Sequence, residues 1–259
     1  MFRQIRILVL LLILLAVVVN ANITRTDATD WWNPLVISVY PLNGDGSEAT
    51  QRYISQLDAA DFRSIETFMA RELKRYNIPL EYPFKIYLQP EIVDLPPRVV
   101  ENSSMFDVMW WSLMMRYWSY QIGKFDSSEP DIQMFVFFHD PETHDRLDHS
   151  VGLEKGMMGF VNVFANREMR ESNNFVITHE ILHTLGATDK YEFASGQPHY
   201  PDGFSEPHRQ PLYPQRFVEI MGGRLALSPT TAMIPTNLRQ TMIGSKTASE
   251  IGLLSYREL

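Results

Sequence analysis

The chain has 259 residues, 45% hydrophobic and 21% charged, a balance that supports one sizeable core and excludes disorder and collagen-like repeats. It contains no cysteine, which removes disulfides, thiol nucleophiles and thiolate metal ligands together, so a bound metal must rely on His, Asp or Glu. A formal charge of -8 opposes attraction to a phosphate backbone, and no nucleic-acid partner is expected.

Arg3 and Arg6 precede an unbroken apolar run from Ile7 to Val19, followed by Val19-Asn20-Ala21 at a spacing that a signal peptidase reads. As a helix the run is roughly 20 Å long, short of the ~30 Å hydrocarbon core. Residues 1–21 therefore read as a signal peptide, or as an anchor attaching residues 2–19 to a membrane. In both cases the arginines hold the start inside, and the remainder is exported to the periplasmic or extracellular face. Residues 22–33 read as a polar spacer, and a single domain is expected over 34–259.

Within that domain, Pro34 to Leu42 has the branched, alternating character of a strand and ends at the Asn43-Gly44-Asp45-Gly46 turn. Phe62, Ile65, Met69 and Leu73 recur at helical spacing, predicting a helix over 58–75. A strand is expected at 84–88, and a helix at 105–120 whose Trp110, Trp111, Met114, Met115, Tyr117 and Trp118 suggest a wide core face. Strands follow at 131–139 and 156–165, the second interrupted by Gly159 as an edge or bulged strand would be. The polar stretch between them carries His139, His144 and His149 without regular ligand spacing and reads as a solvated loop rather than a metal site. A buried helix is expected over 172–185, an irregular proline-rich subdomain over 188–220, and a short last helix over 247–254. This order predicts an α/β (α+β) fold, a mixed sheet covered by helices.

The chemistry concentrates at Thr178-His179-Glu180-Ile181-Leu182-His183. Residues four apart on an α-helix sit about 40° from each other around the axis, so His179 and His183 can hold one ion, with Glu180 beside them. The flanking Phe175, Val176, Ile177, Ile181, Leu182 and Leu185 make the helix apolar nearly all round. Polar groups inside such a helix need partners. A catalytic zinc site uses three protein ligands and keeps a position for water. Gly186 can turn the chain back and bring Asp189 to the ion. Glu206, Glu219, His199 and His208 are other candidates for the third ligand, and Asp189 could instead orient a histidine.

Residues 179–189 resemble the metzincin clan of zinc metallopeptidases, in the form of its HExxHxxGxxH pattern that ends in Asp. Glu219-Ile220-Met221-Gly222-Gly223 resembles the clan's methionine turn. The resemblance implies Zn²⁺ held by His179, His183 and Asp189, Glu180 as general base, Met221 as the floor of the site, and hydrolysis of a peptide or protein substrate. It also implies an edge strand that binds extended peptide, for which 156–165 stands in the matching place. Some members carry a tyrosine two residues after the turn methionine; Gly223 stands there, which leaves that role vacant or to Tyr191 or Tyr213. Two rival readings are a non-catalytic, surface-tethered zinc-binding or assembly protein, and a zinc amidase acting on cell-wall or other non-peptide material.

Overall fold

The parallel strands at the centre of the molecule are apolar on both sides, as strands covered by helices on two faces must be. In a computed structural model, residues 28–96, 105–123, 129–148, 150–153 and 156–255 are described. The N-terminal apolar segment, Asn22 and Asn102, each of which begins an Asn-x-Ser/Thr triplet in the sequence, and His149 lie outside them. Among the described residues no helix is long and apolar enough to cross a membrane.

The elements run β1 (Leu35–Asn43), α1 (Glu48–Ile54), α2 (Arg63–Arg75), β2 (Phe84–Leu88), α3 (Met105–Gly123), β3 (Ile132–His139), β4 (Val151–Leu153), β5 (Met158–Phe164) and α4 (Arg170–Thr184). After a long irregular stretch come β6 (Val218–Glu219), β7 (Leu225–Ser228), β8 (Thr231–Met233), β9 (Thr241–Met242) and α5 (Ser245–Glu250). The main sheet has the order β2-β1-β3-β5-β4. The first four strands are parallel and β4 is antiparallel to β5. The expected mixed sheet covered by helices is therefore present, in three layers.

Alternation along the strands divides the core. Ile37 and Val39 of β1, Met134 and Val136 of β3, and Val161 and Val163 of β5 face one side, packing with Ile65, Met69 and Leu73 of α2 and Ile177, Ile181 and Leu182 of α4. Tyr40, Leu42, Phe135 and Met158 face the other side, where Trp118 and Ile122 of α3 cover them.

Three differences from the sequence reading have physical causes. The edge strand beside α4 is β4, not the 156–165 stretch, because β5 is paired to β3 on one side and to β4 on the other. The aromatic face of α3 is narrower than its composition suggests. Met115 is buried and Trp118 half-buried, but Trp110, Tyr117 and Tyr120 are exposed, since a single helix over a sheet buries only one stripe. The folded unit also takes in part of the stretch read as a spacer: Trp31 is buried, stacks near Phe84, and donates from Nε1 to the Ile251 carbonyl at 2.8 Å.

Candidate metal centre

The helix carrying the two histidines is fixed at its start by side-chain amides. Asn173 accepts from the Phe164 N–H and donates to the Phe164 carbonyl, an amide standing in for a strand partner at the end of β5. Asn174 donates to the Asp61 carbonyl and to Ser64 Oγ, tying α4 to α2. Both are buried, so their polar groups are satisfied within the protein, as burial requires.

At its other end α4 closes with a paired cap. Gly186, at φ 96°, donates to the His183 carbonyl, and Ala187 donates to the Leu182 carbonyl. That bond pair defines a left-handed terminus that reverses the chain, a conformation open to glycine because it has no Cβ. The reversal delivers two groups to the site. The Ala187 carbonyl lies 2.7 Å from His183 Nδ1, and Asp189 Oδ1 lies 3.0 Å from His179 Nε2 and 3.2 Å from His183 Nε2. The two Nε2 atoms are 3.1 Å apart.

The tautomers follow from the partners. His179 Nδ1 meets the Ile220 carbonyl at 2.9 Å, and His183 Nδ1 meets the Ala187 carbonyl. A carbonyl only accepts, so each neutral ring carries its proton on Nδ1 and presents a bare Nε2. Two ring lone pairs and a carboxylate oxygen then point at one place, which is repulsive unless a cation or a proton sits among them. Donor atoms bound at about 2.1 Å in a tetrahedral shell lie about 3.4 Å apart, so the triangle of 3.0, 3.1 and 3.2 Å has the size for a tetrahedral divalent ion. Two imidazoles and one carboxylate suit zinc and exclude nothing in its borderline class. These residues fit the ion that the motif implies.

The titration behaviour has the same origin. Without an ion a proton takes its place: burial raises the Asp189 carboxyl, but the hydrogen bonds that His179 and His183 donate once Nε2 is protonated outweigh it and hold the group well below the usual carboxylate range. Burial works against a charged His183, yet the Asp189 bond and the nearby Glu180 carry its pKa above the ordinary value. Glu180 is pushed up, chiefly by burial, with the two histidines pulling the other way. One of its oxygens lies within 4.8 Å of the histidine ligand atoms, and Oε2 is buried with no hydrogen-bond partner among the described residues.

The turn expected beneath the metal lies against His179 through the Ile220 carbonyl. Met221 is fully buried, and its own carbonyl accepts from the Lys190 N–H at 2.8 Å, which ties the residue after Asp189 to the turn. Glu219 anchors the turn from below, accepting from Gly222 N, Gly244 N and Thr247 Oγ1. It is therefore engaged elsewhere and is not a third ligand. Glu206 is likewise paired with Arg216, and His199 and His208 are exposed. Of the two tyrosines considered, Tyr191 reaches the site. Its ring centroid is 6.2 Å from that of His179, and burial together with Asp189 raises its hydroxyl to about 12. Tyr213 packs instead on Phe204.

Gly152 of β4 is a site residue that sequence reasoning missed. A Cβ there would lie 2.5 Å from the Glu180 carbonyl and 2.5 Å from His183 Cβ, so the edge strand runs directly against the motif turn of α4. Its signal in the sequence is one glycine between Val151 and Leu153, too weak to read. The scan against protein-family models finds no match to this chain, and the search of curated proteins finds none either.

Proposed function

We propose that the chain is an exported zinc metallopeptidase of the metzincin type, with His179, His183 and Asp189 as metal ligands and Glu180 as the proton carrier. One observation carries the reading: three lone-pair atoms converge within 3.2 Å beside a buried carboxylate oxygen that has no partner among the described residues. A bound Zn²⁺ supplies Lewis acidity toward a carbonyl oxygen and lowers the pKa of water.

The protein's own groups supply the rest. His179 and His183 are oriented by the Ile220 and Ala187 carbonyls, which set the tautomer that leaves Nε2 free. Glu180, its pKa raised by burial, takes a proton from the water that attacks the scissile carbonyl carbon and passes it to the amide nitrogen. A C–O bond forms, the C–N bond breaks, and the nitrogen leaves as an amine. Tyr191, whose hydroxyl lies beside Asp189, is the group we assign to donate to the developing oxyanion. The outer edge of β4 ends the main sheet, and its main-chain groups suit an extended peptide added as a further strand. Arg3, Arg6 and the apolar run after them support an outward location, secreted or anchored.

The test is hydrolysis of a mixed peptide pool by the full chain loaded with zinc, beside Glu180→Gln. The variant is expected to keep its zinc and to lose turnover by about 10²- to 10⁴-fold. Turnover at the unsubstituted rate would overturn the mechanism. Cleavage of cell-wall fragments with no cleavage of peptides would move the assignment to the amidase reading.

A further inference from the structure

A second group of ligand-type side chains lies at the far end of the sheet. Asp45 follows β1, His139 ends β3 and His144 sits in the loop beyond it, and one ligand atom from each lies within 4.8 Å of the others. Gly159 of β5 faces Glu180, whereas His139 pairs with Phe164, five residues further along the sheet. At the rise of a strand the two groups are separated by roughly 16 Å.

The geometry is that of a prepared site. The Asp45 carboxylate is held by the Ser47 N–H at 2.9 Å, Thr50 Oγ1 at 3.1 Å and the Asp140 N–H at 2.6 Å. His139 Nε2 lies 3.0 Å from Asn162 Oδ1, which accepts, so the ring proton belongs on Nε2 and Nδ1 is bare. That Nδ1 is buried and has no hydrogen-bond partner among the described residues. A bare buried ring nitrogen is costly unless something acidic meets it. Gly44 makes room for the ring, since a Cβ there would lie 2.5 Å from His139 Cε1. His144, far more exposed than Asp45, has Nδ1 3.9 Å from Asp45 Oδ2, and its ring centroid is 5.4 Å from that of His139.

We propose that Asp45, His139 and His144 form a second metal site, for a borderline divalent transition ion such as Zn²⁺, with a structural role. Two imidazoles and one carboxylate match that class, whereas Ca²⁺ and Mg²⁺ prefer all-oxygen shells. Closing the shell needs His144 to move in by on the order of 1 Å. The bound ion joins the turn after β1 to the end of β3 and the loop after it. That is the type of cross-link a chain without cysteine cannot make with a disulfide. With three protein ligands it binds more weakly than a four-ligand structural site.

The test is Zn²⁺ titration of the metal-stripped full chain, read as equivalents bound and as Tm. Two equivalents are expected, falling to one in His144→Ala. In a His183→Ala background one equivalent remains and raises Tm by about 5 °C or more at a hundredfold excess over Kd. Adding His144→Ala removes both the binding and the shift. His144 is partly exposed, so the metal-free Tm of His144→Ala stays close to that of the parent. The proposal is overturned if the unsubstituted chain binds a single equivalent that His144→Ala retains, or if His144→Ala changes neither stoichiometry nor the zinc-dependent Tm. Should His183→Ala fail to fold, the comparison of the unsubstituted chain with His144→Ala decides alone.

Discussion

Asp189 is the residue on which the proposed centre turns, because the histidine pair alone defines an axis and not a site. Its Oδ1 is within 3.2 Å of both ring nitrogens, which is where a third ligand belongs. A carboxylate that only orients a histidine typically changes metal affinity by roughly 10- to 100-fold when removed. Asp189→Ala is expected to exceed that range, measured by competition with a chromophoric chelator, while far-ultraviolet circular dichroism stays unchanged. An affinity within tenfold of the unsubstituted chain would return the third position to another group. The same contacts explain why Asp189 could be proposed from sequence and the backbone partners could not. The spacing of Gly186 and Asp189 after His183 is visible in the chain, but the Ile220 and Ala187 carbonyls that fix the tautomers carry no side-chain signature.

At the scale of elements, β4 and α4 make the contact that shapes the side of the site on which the proposed function places the substrate. Gly152 lets a strand backbone lie against the Glu180 carbonyl and His183 Cβ, and Gly152→Ala places a methyl 2.5 Å from both. Neither neighbour is the free end of a side chain, so the strand must shift. A destabilisation of about 1 to 3 kcal/mol in urea unfolding is expected, with a loss of turnover larger than that stability change explains. Full activity in this variant would mean that β4 does not bound the site. The contrast in legibility between these two elements is physical. α4 announces itself through apolar residues on every side of a polar triple, and its expected span of 172–185 overlaps the observed Arg170–Thr184 almost completely. β4 has three residues, too few to show alternation, and in sequence its partner β5 takes on the look of the edge. α1, at Glu48–Ile54, leaves no periodic signal for a similar reason, being shorter than two helical repeats and held by a Ser47 cap. Helix α3 spans the stretch its composition predicts, but residue type alone does not say which of its aromatics the sheet covers.

At the scale of the whole molecule, the two ends of the folded unit meet and the later one braces the loop that carries Asp189. Trp31 bonds to the Ile251 carbonyl, and a Cβ at Gly252 would lie 2.2 Å from the Thr29 carbonyl. In α5, next to this junction, Glu250 accepts from Thr188 N, Thr188 Oγ1 and Lys190 Nζ, so it grips the residues on either side of Asp189. Burial raises the Glu250 carboxyl, but the Lys190 and Thr188 bonds outweigh it and leave its pKa below the ordinary glutamate value. A depressed folded-state pKa means that the unfolded chain takes up the proton first as pH falls. The stabilisation is therefore complete above the ordinary glutamate pKa of about 4.3 and disappears as pH drops through the lower folded-state value. Glu250→Gln is accordingly expected to cost about 2 kcal/mol at pH 7, where it leaves the buried Lys190 ammonium without its anion. Tm measured for both proteins from pH 7 downward should show the gap constant to about pH 5 and closing below pH 4, as the parent's carboxylate becomes protonated. A gap of the same size across that range would show that the Lys190 pairing contributes no charge-dependent stability, and that α5 holds the Asp189 loop by packing alone.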